Sequence, residues 1–447
     1  MPARLRHWSL ALACCSPLAC DEADEQPGLL DPAPEIPLGS CDAASGPSWG
    51  GPAVPECTTD PAPWCGDGCP VTSPVALVCD WDTYAALRVG PDGTPWLLAH
   101  VNRDMVAALL VKLGPKPSLT PAPKLSIGAA LAIDGDGAPH LIHTTEQPNA
   151  RLRHRGLAGV DDDIACIAGP VPIWIPQRLI ASAGSLIGLV KWIAETEGGL
   201  AMVRRDGEGA WSLESLPIAG DWPTLALADD GTPLVAHYAS EPNGWRARVL
   251  VGDAMVALPF APSPVLTYEL ALVPGADSFL AAVRLGETHV EVALPDQSAA
   301  ILDEMPVLAA AGCATPVDSC SGACNVNGVG TAFTPAAVRD GDAIVLIRVE
   351  DTIDRDGHFE GDLCPGSGAG CSCDLITDED RSRGELVLTR VSLPALDAKE
   401  IARVALPFGP GGRVQVDVAG DRKIVVALAG GDRSRTLVGT IDLATLP

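Results

Sequence analysis

One short stretch of the sequence has the composition of a metal-binding loop. Residues 132–145, AIDGDGAPHLIHTT, place Asp134 and Asp136 around a glycine, and His140 and His143 follow closely. Carboxylate oxygens bind calcium, and imidazole nitrogens bind transition metals. The same residues also suit a β-hairpin, because an Asp-Gly pair accepts the positive φ angles of a tight turn. The recurrence of the stretch along the chain decides between the two interpretations.

An acidic segment further along is the second candidate metal site. Residues 351–380 contain nine acidic side chains and one arginine. Part of this segment, DRDGHFEGD, resembles a calcium loop with four candidate ligands: Asp354, Asp356, Glu360 and Asp362. An EF-hand register with Gly357 as the sixth residue would place Thr352 first and Leu363 twelfth, where the motif requires carboxylates. The sequence therefore predicts either an irregular calcium loop or a merely solvated acidic loop.

The sequence lacks the common motifs of hydrolases. Neither a G-x-S-x-G nucleophile elbow nor an H-E-x-x-H zinc motif occurs. Carboxylates are numerous, but no two of them stand out as an acid–base couple. Four tryptophans could stack on sugars or pack in the core: Trp96, Trp192, Trp222 and Trp245. These observations favour a non-catalytic protein over an enzyme.

Two further stretches show that the first one belongs to a repeat. YAALRVGPDGTPWLLAHV and WPTLALADDGTPLVAHYA share its order of apolar strand, Asp-Gly turn, proline and apolar strand. The turn glycines Gly93, Gly137 and Gly231 lie 44 and 94 residues apart, and 94 is two steps of 47. Further units of this kind turn near Gly184, Gly275, Gly341 and Gly420. Each unit has room for two more strands, and four short antiparallel strands per repeat are typical of a propeller blade.

We therefore predict an all-β fold, a seven-bladed β-propeller of four-stranded blades over residues 73–447. The seventh unit has only three strands before the chain ends, so we expect residues 73–80, SPVALVCD, to supply its fourth strand. This closure by an N-terminal strand removes two exposed sheet edges. Six or eight blades, or two β-sandwiches, are the alternatives, and the near-constant period argues against the sandwiches. The metal-like stretch then becomes a hairpin turn with its flanking strands.

Two of the repeated strands carry a histidine at the same position. His143 and His237 each lie four residues after the turn proline. Equivalent histidines around a central channel could bind a metal. Because only two of the seven units supply one, a hydrogen-bonded repeat position is the preferred interpretation.

Two cysteine-rich inserts, near residues 312–330 and 351–382, interrupt the repeat period. Each insert contains three cysteines, so disulfides within or between them are expected. Long loops on a rigid ring are where function usually lies. We therefore predict that the insert-bearing face binds the ligand.

The N-terminus, MPARLRHWSLALACCSPLAC, has the organisation of an export signal. Two arginines precede an apolar run of 12 residues, which is too short to span a bilayer. The run ends in Pro-Leu-Ala-Cys, which resembles a bacterial lipobox in which proline replaces the usual leucine. We predict a lipoprotein signal peptide over residues 1–19 and lipidation of Cys20, with Cys14 or Cys15 as alternative acceptors. Simple secretion and a retained anchor are the alternatives to a lipoprotein. Residues 20–72 are predicted to be an acidic, proline-rich tether with a cysteine-stapled segment.

The cysteine count and the net charge fit an exported protein. Fifteen cysteines are present, and twelve remain if the signal peptide is removed and Cys20 carries lipid. An even number in an oxidising compartment predicts disulfide bonds. The candidates are Cys41, Cys57, Cys65, Cys69, Cys79, Cys166, Cys313, Cys320, Cys324, Cys364, Cys371 and Cys373. The formal net charge of −27 would repel a phosphate backbone, so nucleic-acid binding is not expected.

The repeat resembles a family of secreted bacterial β-propeller proteins, many of them lipoproteins, built from strand–D-x-x-G-x-P-H–strand units. Residues 132–145 and 225–239 carry this resemblance most clearly. Pro139 and His140 match the Pro-His step of the family, whereas Leu234 departs from it. The resemblance implies the propeller fold and export, and it implies no activity.

The sequence as a whole predicts an exported, lipid-anchored, non-catalytic binding or scaffold protein of the bacterial cell envelope. Its expected partners are the membrane, through the lipid anchor only, and an unknown protein or glycan ligand. Calcium is the one cofactor that the acidic segment brings into consideration. A carbohydrate-active hydrolase or lyase on a propeller scaffold is the alternative function.

Overall fold

The computed structural model describes residues 33–39, 57–61, 64–65, 69–79, 83–101, 107–114, 117–121, 129–145, 151–156, 161–167, 173–194, 197–218, 220–264, 270–308, 322–361, 373–407, 409, 413–429 and 435–447. Within these residues the chain forms 31 β-strands, one short 3-10 helix (Leu443–Thr445) and no α-helix. None of the described helical segments is long and apolar enough to cross a membrane.

The strands form seven antiparallel sheets, which are the blades of a propeller. Two strands precede the first complete blade: β1 (Cys57–Pro61) and β2 (Val71–Cys79). Blade 1 comprises β3 (Thr83–Val89), β4 (Pro95–Val101), β5 (Ala107–Lys112) and β6 (Ser118–Pro121). Blade 2 comprises β7 (Ala129–Ile133), β8 (Pro139–Thr145), β9 (Arg151–Arg155) and β10 (Asp161–Cys166). Blade 3 comprises β11 (Ile173–Ser182), β12 (Ser185–Ala194), β13 (Glu197–Arg205) and β14 (Trp211–Ser215).

The remaining blades follow in chain order. Blade 4 comprises β15 (Asp221–Leu227), β16 (Pro233–Glu241), β17 (Gly244–Val251) and β18 (Ala254–Ala257). Blade 5 comprises β19 (Ala271–Pro274), β20 (Phe279–Leu285), β21 (His289–Ala293) and β22 (Ala299–Pro306). Blade 6 comprises β23 (Gly322–Thr331), β24 (Ala336–Asp340), β25 (Ala343–Gly361), β26 (Cys373–Asp380), β27 (Arg383–Ser392) and β28 (Asp397–Ala405). Blade 7 comprises β29 (Arg413–Val418), β30 (Lys423–Ala429) and β31 (Arg435–Asp442).

The inner strand of each blade lies beside those of its two neighbours, so the blades close into a ring. These inner strands are β3, β7, β11, β15, β19, β24 and β29, and β29 contacts β3 to complete the circle. The predicted all-β, seven-bladed propeller is therefore confirmed. Blades 1 to 5 each have four strands and blade 6 has six, whereas blade 7 has five because β1 and β2 join its three strands.

The ring is closed by the N-terminal strand, as the sequence predicted. β2 pairs antiparallel with β31, and β1 pairs with the outer edge of β2. A second link joins blades 7 and 1 at the centre of the ring. The backbone N–H of Leu87 donates to the side chain of Gln415 at 2.8 Å, and that of Val89 donates to Asp417 at 2.8 Å. Both seams join the beginning of the chain to its end.

The Asp-Gly stretches are the hairpin turns between the first and second strands of the blades. In blade 2, Gly137 has a φ of 81°, a conformation that glycine adopts without strain. One carboxylate oxygen of Asp134 accepts from the backbone N–H of Asp136 at 3.0 Å and of Ala138 at 2.8 Å. The aspartate thus stabilises the turn, as turn chemistry predicts.

Apolar side chains fill each interface between neighbouring blades. The described residues contain seven buried apolar clusters, one for each pair of adjacent blades. Between blades 2 and 3, for example, Ile142 and Leu152 pack with Trp174 and Trp192, and all four side chains are fully buried. Apolar burial between blades therefore contributes to the stability of the ring.

Blade 6 carries a projection that we call the arm: residues 322–331, 353–361 and 373–380. β25 is 19 residues long. Its first half pairs with β24 and β27 inside the blade, and its second half pairs with β23 and β26 outside it. At roughly 3.3 Å per residue, the second half extends about 30 Å beyond the ring. The inserts were expected to be loops, but cross-strand pairing makes their described parts strands.

Part of the segment expected to be a free tether contacts the ring. The hydroxyl of Ser215 donates to the carbonyl of Pro34 at 2.6 Å, and the backbone N–H of Gly39 donates to the carbonyl of Cys166 at 2.9 Å. Residues 33–39 therefore lie against blades 2 and 3.

Candidate functional site

The hairpin turns between the first and second strands all lie on one side of the ring, which we call the turn face. At its centre lies a cavity of about 630 Å³, walled by the inner strands of all seven blades. A second cavity of about 700 Å³ lies beside it, over blades 1, 2, 3 and 7, and shares the wall residues Val89, Ile133 and Ala181. We call these the central cavity and the side cavity. Their size is that of small-molecule binding sites.

The turn face and the arm lie on opposite sides of the ring. Each inner strand runs toward the turn face, and the second strand of the blade runs away from it. In blade 6 the turn is at Gly341, and β25 leaves this turn, crosses the blade and continues as the arm. The two cavities are therefore on the face opposite to the one from which the larger insert projects.

The wall of the central cavity has more basic than acidic residues, whereas the whole chain has more acidic than basic ones. The whole chain has 30 basic and 57 acidic residues. The wall has five basic and four acidic residues: Arg88, Arg178, Arg339, Arg422 and Lys423, with Asp229, Asp340, Asp417 and Asp421. Such a local excess of positive charge attracts anions.

The carboxylates of this wall are held in structural bonds. Asp340 is buried and forms two ion-pair contacts with Arg422, at 2.6 and 3.0 Å, and a further one with Arg390. Asp229 of blade 4 pairs with Arg339 of blade 6 at 3.0 Å, across the mouth of the cavity. The carboxylate of Asp417 accepts the backbone bond from blade 1 described above. These three carboxylates join blades to one another.

Arg178 is different, because none of the described residues gives it an acidic partner. Its Nε atom is buried and has no hydrogen-bond partner among them. A β-bulge precedes it, since the pairing of β11 with β12 skips Gln177 between Pro176 and Arg178. Bulges re-aim side chains and occur often beside functional sites. The wall thus has an arginine whose positive charge is not neutralised by the described protein.

The side cavity contains a chain of hydrogen-bonded side chains built on the first metal-like stretch. The Nε2 atom of His140 lies 3.0 Å from Asp134, and its Nδ1 atom lies 3.0 Å from Nε2 of His154. The ring of His154 packs against that of Trp211. His154 was not predicted, although its spacing of 14 residues from His140 fits two positions on adjacent antiparallel strands.

Burial and neighbouring groups shift the pKa values of two members of this chain. Burial acts to raise the pKa of Asp134, but hydrogen bonds from His140 and from two backbone N–H groups outweigh it and lower the pKa. Burial, and then the charges of Arg205 and His140, lower the pKa of His154 to about 4. His140 thus lies within hydrogen-bonding distance of Asp134 on one side and of His154 on the other, and Nδ1 of His154 lies 3.6 Å from Asp162. Both nitrogens of His140 are then occupied, so the chain supports the turn and leaves no free base.

The two equivalent histidines lie inside their blades and not on the channel wall. His143 is on β8 and His237 is on β16, the second strands of blades 2 and 4, and both are buried. Burial, with a contribution from Arg248, lowers the pKa of His237 to about 4. Across the described ranges, no group of three or more His, Cys, Asp or Glu residues could hold a metal ion.

Arg381 neutralises the described part of the predicted calcium loop. Asp354 and Asp356 lie on β25, and Arg381 contacts them at 2.9 Å and 2.7 Å, as well as Glu379 at 2.6 Å. These contacts lower the pKa of Asp354 and raise that of Arg381. Glu360 also lies on β25.

Calcium binding at this place stays a prediction. Asp362, the fourth of its candidate ligands, is outside the described residues. Arg381 is the residue directly after the acidic segment 351–380, so a count of the charges in that segment omits it. It reaches Asp354 and Asp356 across the hairpin.

The cysteine predictions are covered only in part by the described residues. Cys65 and Cys69 form a disulfide with Cα atoms 5.4 Å apart. Cys57, Cys166 and Cys324 are also disulfide-bonded. Cys79 lies on β2, and Cys373 lies on β26. Cys20, Cys41, Cys313, Cys320, Cys364 and Cys371 are outside the described residues.

Of the four tryptophans considered for sugar stacking, Trp222 is the exposed one. Trp96 and Trp192 are buried between blades, and Trp245 is partly buried against the cluster between blades 4 and 5. Trp222 is 43% exposed, with a φ of 51° that is unusual for a bulky residue. Packing therefore accounts for three of the four.

Comparison with known proteins gives only distant likenesses. No protein-family model and no curated protein gives a significant match to the chain. Its structure is similar to the subtype N11 neuraminidase-like protein of a flat-faced bat isolate from Peru, with 11% identity, a TM-score of 0.40, and coverage of 81% of this chain and 88% of the other. It is also similar to the polysaccharide lyase Uly1, with 12% identity, a TM-score of 0.40, and coverage of 80% and 89%.

A third similar structure is the WD40 domain of SCAP from fission yeast. The identity is 9%, the TM-score is 0.37, and the coverage is 87% of this chain and 98% of the other. At such identities and TM-scores these likenesses concern the fold alone.

Proposed function

We propose that the protein is an exported, lipid-anchored, non-catalytic binding protein of the bacterial cell envelope, and that its turn face holds the ligand. One observation carries the binding role: a central cavity of about 630 Å³ whose wall contains an arginine with no acidic partner in the described chain. A concave site with few placed polar groups is the usual form of a ligand pocket.

The state of the acidic and histidine side chains supports binding rather than catalysis. A general acid or base must exchange a proton with the bound substrate, so it needs an atom that the protein does not already occupy. Asp340 and Asp229 are held by arginines, and Asp134 and His140 are held by each other and by their neighbours. These groups serve the scaffold.

Export and anchoring are supported by the N-terminal sequence and by the disulfides. The charged start, the short apolar run and Cys20 have the order of a lipoprotein signal. The bond between Cys65 and Cys69 fits an oxidising compartment. Mass spectrometry of the mature protein should find acyl chains on Cys20, and Cys20→Ser should release the protein from membranes. An unacylated mature N-terminus in the membrane fraction would contradict anchoring.

The binding role is tested with a variant that fills the cavities. Ala181 lines both cavities, and Ala181→Trp would occupy them with an indole ring. Ala254 is exposed and lies outside both cavities, so Ala254→Trp is the matched control. On a glycan array and in a pull-down from envelope extract, the control should retain the ligands of the wild type and Ala181→Trp should lose them. Equal retention by both variants would move the site away from the turn face.

The alternative function, a carbohydrate-active hydrolase or lyase, is tested on the same ligands. Incubating the wild type with any glycan that it binds should leave the glycan intact. The appearance of shorter products that Ala181→Trp does not make would replace the binding role with an enzymatic one.

A further inference from the structure

The surroundings of Arg178 indicate what kind of group belongs beside it. The neighbouring wall of the central cavity is apolar, with Ala132, Leu179, Ile180 and Leu227 among its residues. Charge interactions are stronger in such a setting than in water. A partly buried guanidinium without a counter-charge is unfavourable, and an anionic ligand would relieve that cost.

The depth of Arg178 limits the shape of the ligand. The residue lies on β11, which runs on to Ser182 at the turn face. The four residue steps from Arg178 to Ser182 correspond to about 13 Å. An anion that reaches Arg178 must therefore belong to a small molecule or to the end of a narrow chain, with the rest of the molecule against the apolar wall or toward the turns.

Two other arginines of the wall already have acidic partners. Arg422 and Arg339 are paired with Asp340 and Asp229, so these two arginines already have counter-charges. A guanidinium presents parallel N–H groups that match the oxygens of a carboxylate, sulfate or phosphate. Arg178 has such a guanidinium, its Nε atom is buried, and none of the described residues gives it an acidic partner.

We propose that the central cavity recognises an oxyanion of its ligand, a carboxylate or sulfate group, and that Arg178 binds this group. The apolar side chains of the inner strands would contact the rest of the ligand. The inference rests on the proposed binding function and specifies the chemistry of its ligand. The oxyanion can come from an acidic sugar or from a free organic acid, because both present the same group.

The experiment is isothermal titration calorimetry of the full mature protein. The probes are sodium sulfate, citrate and trigalacturonate, with galactose as the neutral control. The proteins are the wild type, Arg178→Gln and Arg204→Gln. Arg204 is exposed on β13 of the same blade and lies outside both cavities, so its loss controls for the removal of one positive charge.

The wild type and Arg204→Gln should bind at least one of the three anions at millimolar concentration or better, and neither should bind galactose. Arg178→Gln should bind about tenfold or more weakly, as expected for the loss of a charge-assisted, bidentate contact. Arg178→Lys keeps the positive charge but loses the two parallel N–H groups of the guanidinium. Its affinity for the anion should therefore lie between those of the wild type and Arg178→Gln. Thermal melting of each variant establishes that it is folded. Stronger binding of trigalacturonate than of citrate would identify an acidic sugar as the source, and the reverse would identify a free acid.

Two results would overturn the inference. One is the failure of all three anions to bind the folded wild type, and the other is equal binding by Arg178→Gln and the wild type. If, in addition, Ala181→Trp loses a neutral glycan or a protein that Arg178→Gln retains, the proposed binding function stands while the anion site fails. If Ala181→Trp retains every ligand, the turn-face function itself fails.

Discussion

One arginine of the arm and one of the turn face differ in the number of carboxylates that they contact. Arg381 of the arm is 44% exposed and contacts three carboxylates. Arg178 of the central cavity is partly buried and meets no carboxylate in the described chain. Exposed ion pairs contribute little to stability, whereas an uncompensated buried charge is costly. The carboxylates around Arg381 therefore already have a counter-charge, whereas Arg178 has none among the described residues and is the charge that indicates a ligand.

The first test of this comparison is a decrease in pH, which should destabilise the ring through its buried histidines and should not depend on the arm. His154 and His237 have pKa values lowered to about 4 in the folded protein, against 6.5 in the unfolded chain. The unfolded state therefore binds more protons as the pH falls below 6.5, and stability is lost progressively down to pH 4. Between pH 7 and pH 5 the expected loss is about 2 kcal/mol for each histidine.

Urea unfolding at a series of pH values measures this loss. His237→Asn should remove about half of the slope between pH 7 and pH 5, because one of the two titrating groups is gone. The arm variant Arg381→Gln should keep the slope of the wild type. An unchanged slope in His237→Asn would show that the buried histidines do not determine the acid sensitivity of the ring.

The second test concerns the ion pairs of the cavity wall. Asp340 is 4% exposed and joins Arg390 and Arg422, so Asp340→Ala would leave two arginines without their counter-charge. Because Arg422 is partly exposed, we expect a destabilisation of about 2 kcal/mol, below the range for a fully buried pair. Asp342 is exposed on the same turn, and Asp342→Ala should change the free energy of unfolding by less than about 0.5 kcal/mol. Equal effects of the two substitutions would remove the distinction between wall and surface charges.

The third test concerns the arm and has the smallest expected effect on stability. Arg381→Gln breaks three exposed ion pairs and should cost about 1 kcal/mol or less. It also removes the cation that neutralises Asp354 and Asp356. If Arg381 excludes calcium, thermal melts with calcium and with a chelator should coincide for the wild type and differ for Arg381→Gln, because a ligand bound only by the native state stabilises it.

Arg355→Gln is the control for calcium, since Arg355 pairs with Asp380 on the same arm. Its melts should be as insensitive to calcium as those of the wild type. A calcium-dependent rise of several degrees in the wild type would instead confirm the calcium loop predicted from sequence and would show that Arg381 does not exclude the ion.

The blades were predictable because their signal is local. An Asp-Gly turn between two apolar runs determines a hairpin within a dozen residues, and the regular spacing of Gly93, Gly137 and Gly231 counts the blades. The closing strand was predictable for a related reason, because the last unit lacks a strand and a spare one precedes the first unit. Both predictions depend only on turn chemistry and alternation.

The site was less predictable because it depends on distant contacts. The pairing of Asp354 with Arg381 and of His140 with His154 becomes visible only once strand registers are known. Arg178 gave no signal in the sequence, because its position depends on a bulge in β11 and on the meeting of seven inner strands at one cavity. The expectation that the insert-bearing face holds the ligand followed from loop length, whereas the cavities lie on the opposite face.

The most direct measurement compares the two arginines in one titration. Citrate is titrated calorimetrically into the wild type, Arg178→Gln and Arg381→Gln under identical salt conditions. The predicted result is binding by the wild type and by Arg381→Gln with the same affinity, and binding about tenfold or more weaker by Arg178→Gln. Equal weakening by both substitutions would mean that citrate responds only to net charge, and it would contradict a specific anion site in the central cavity.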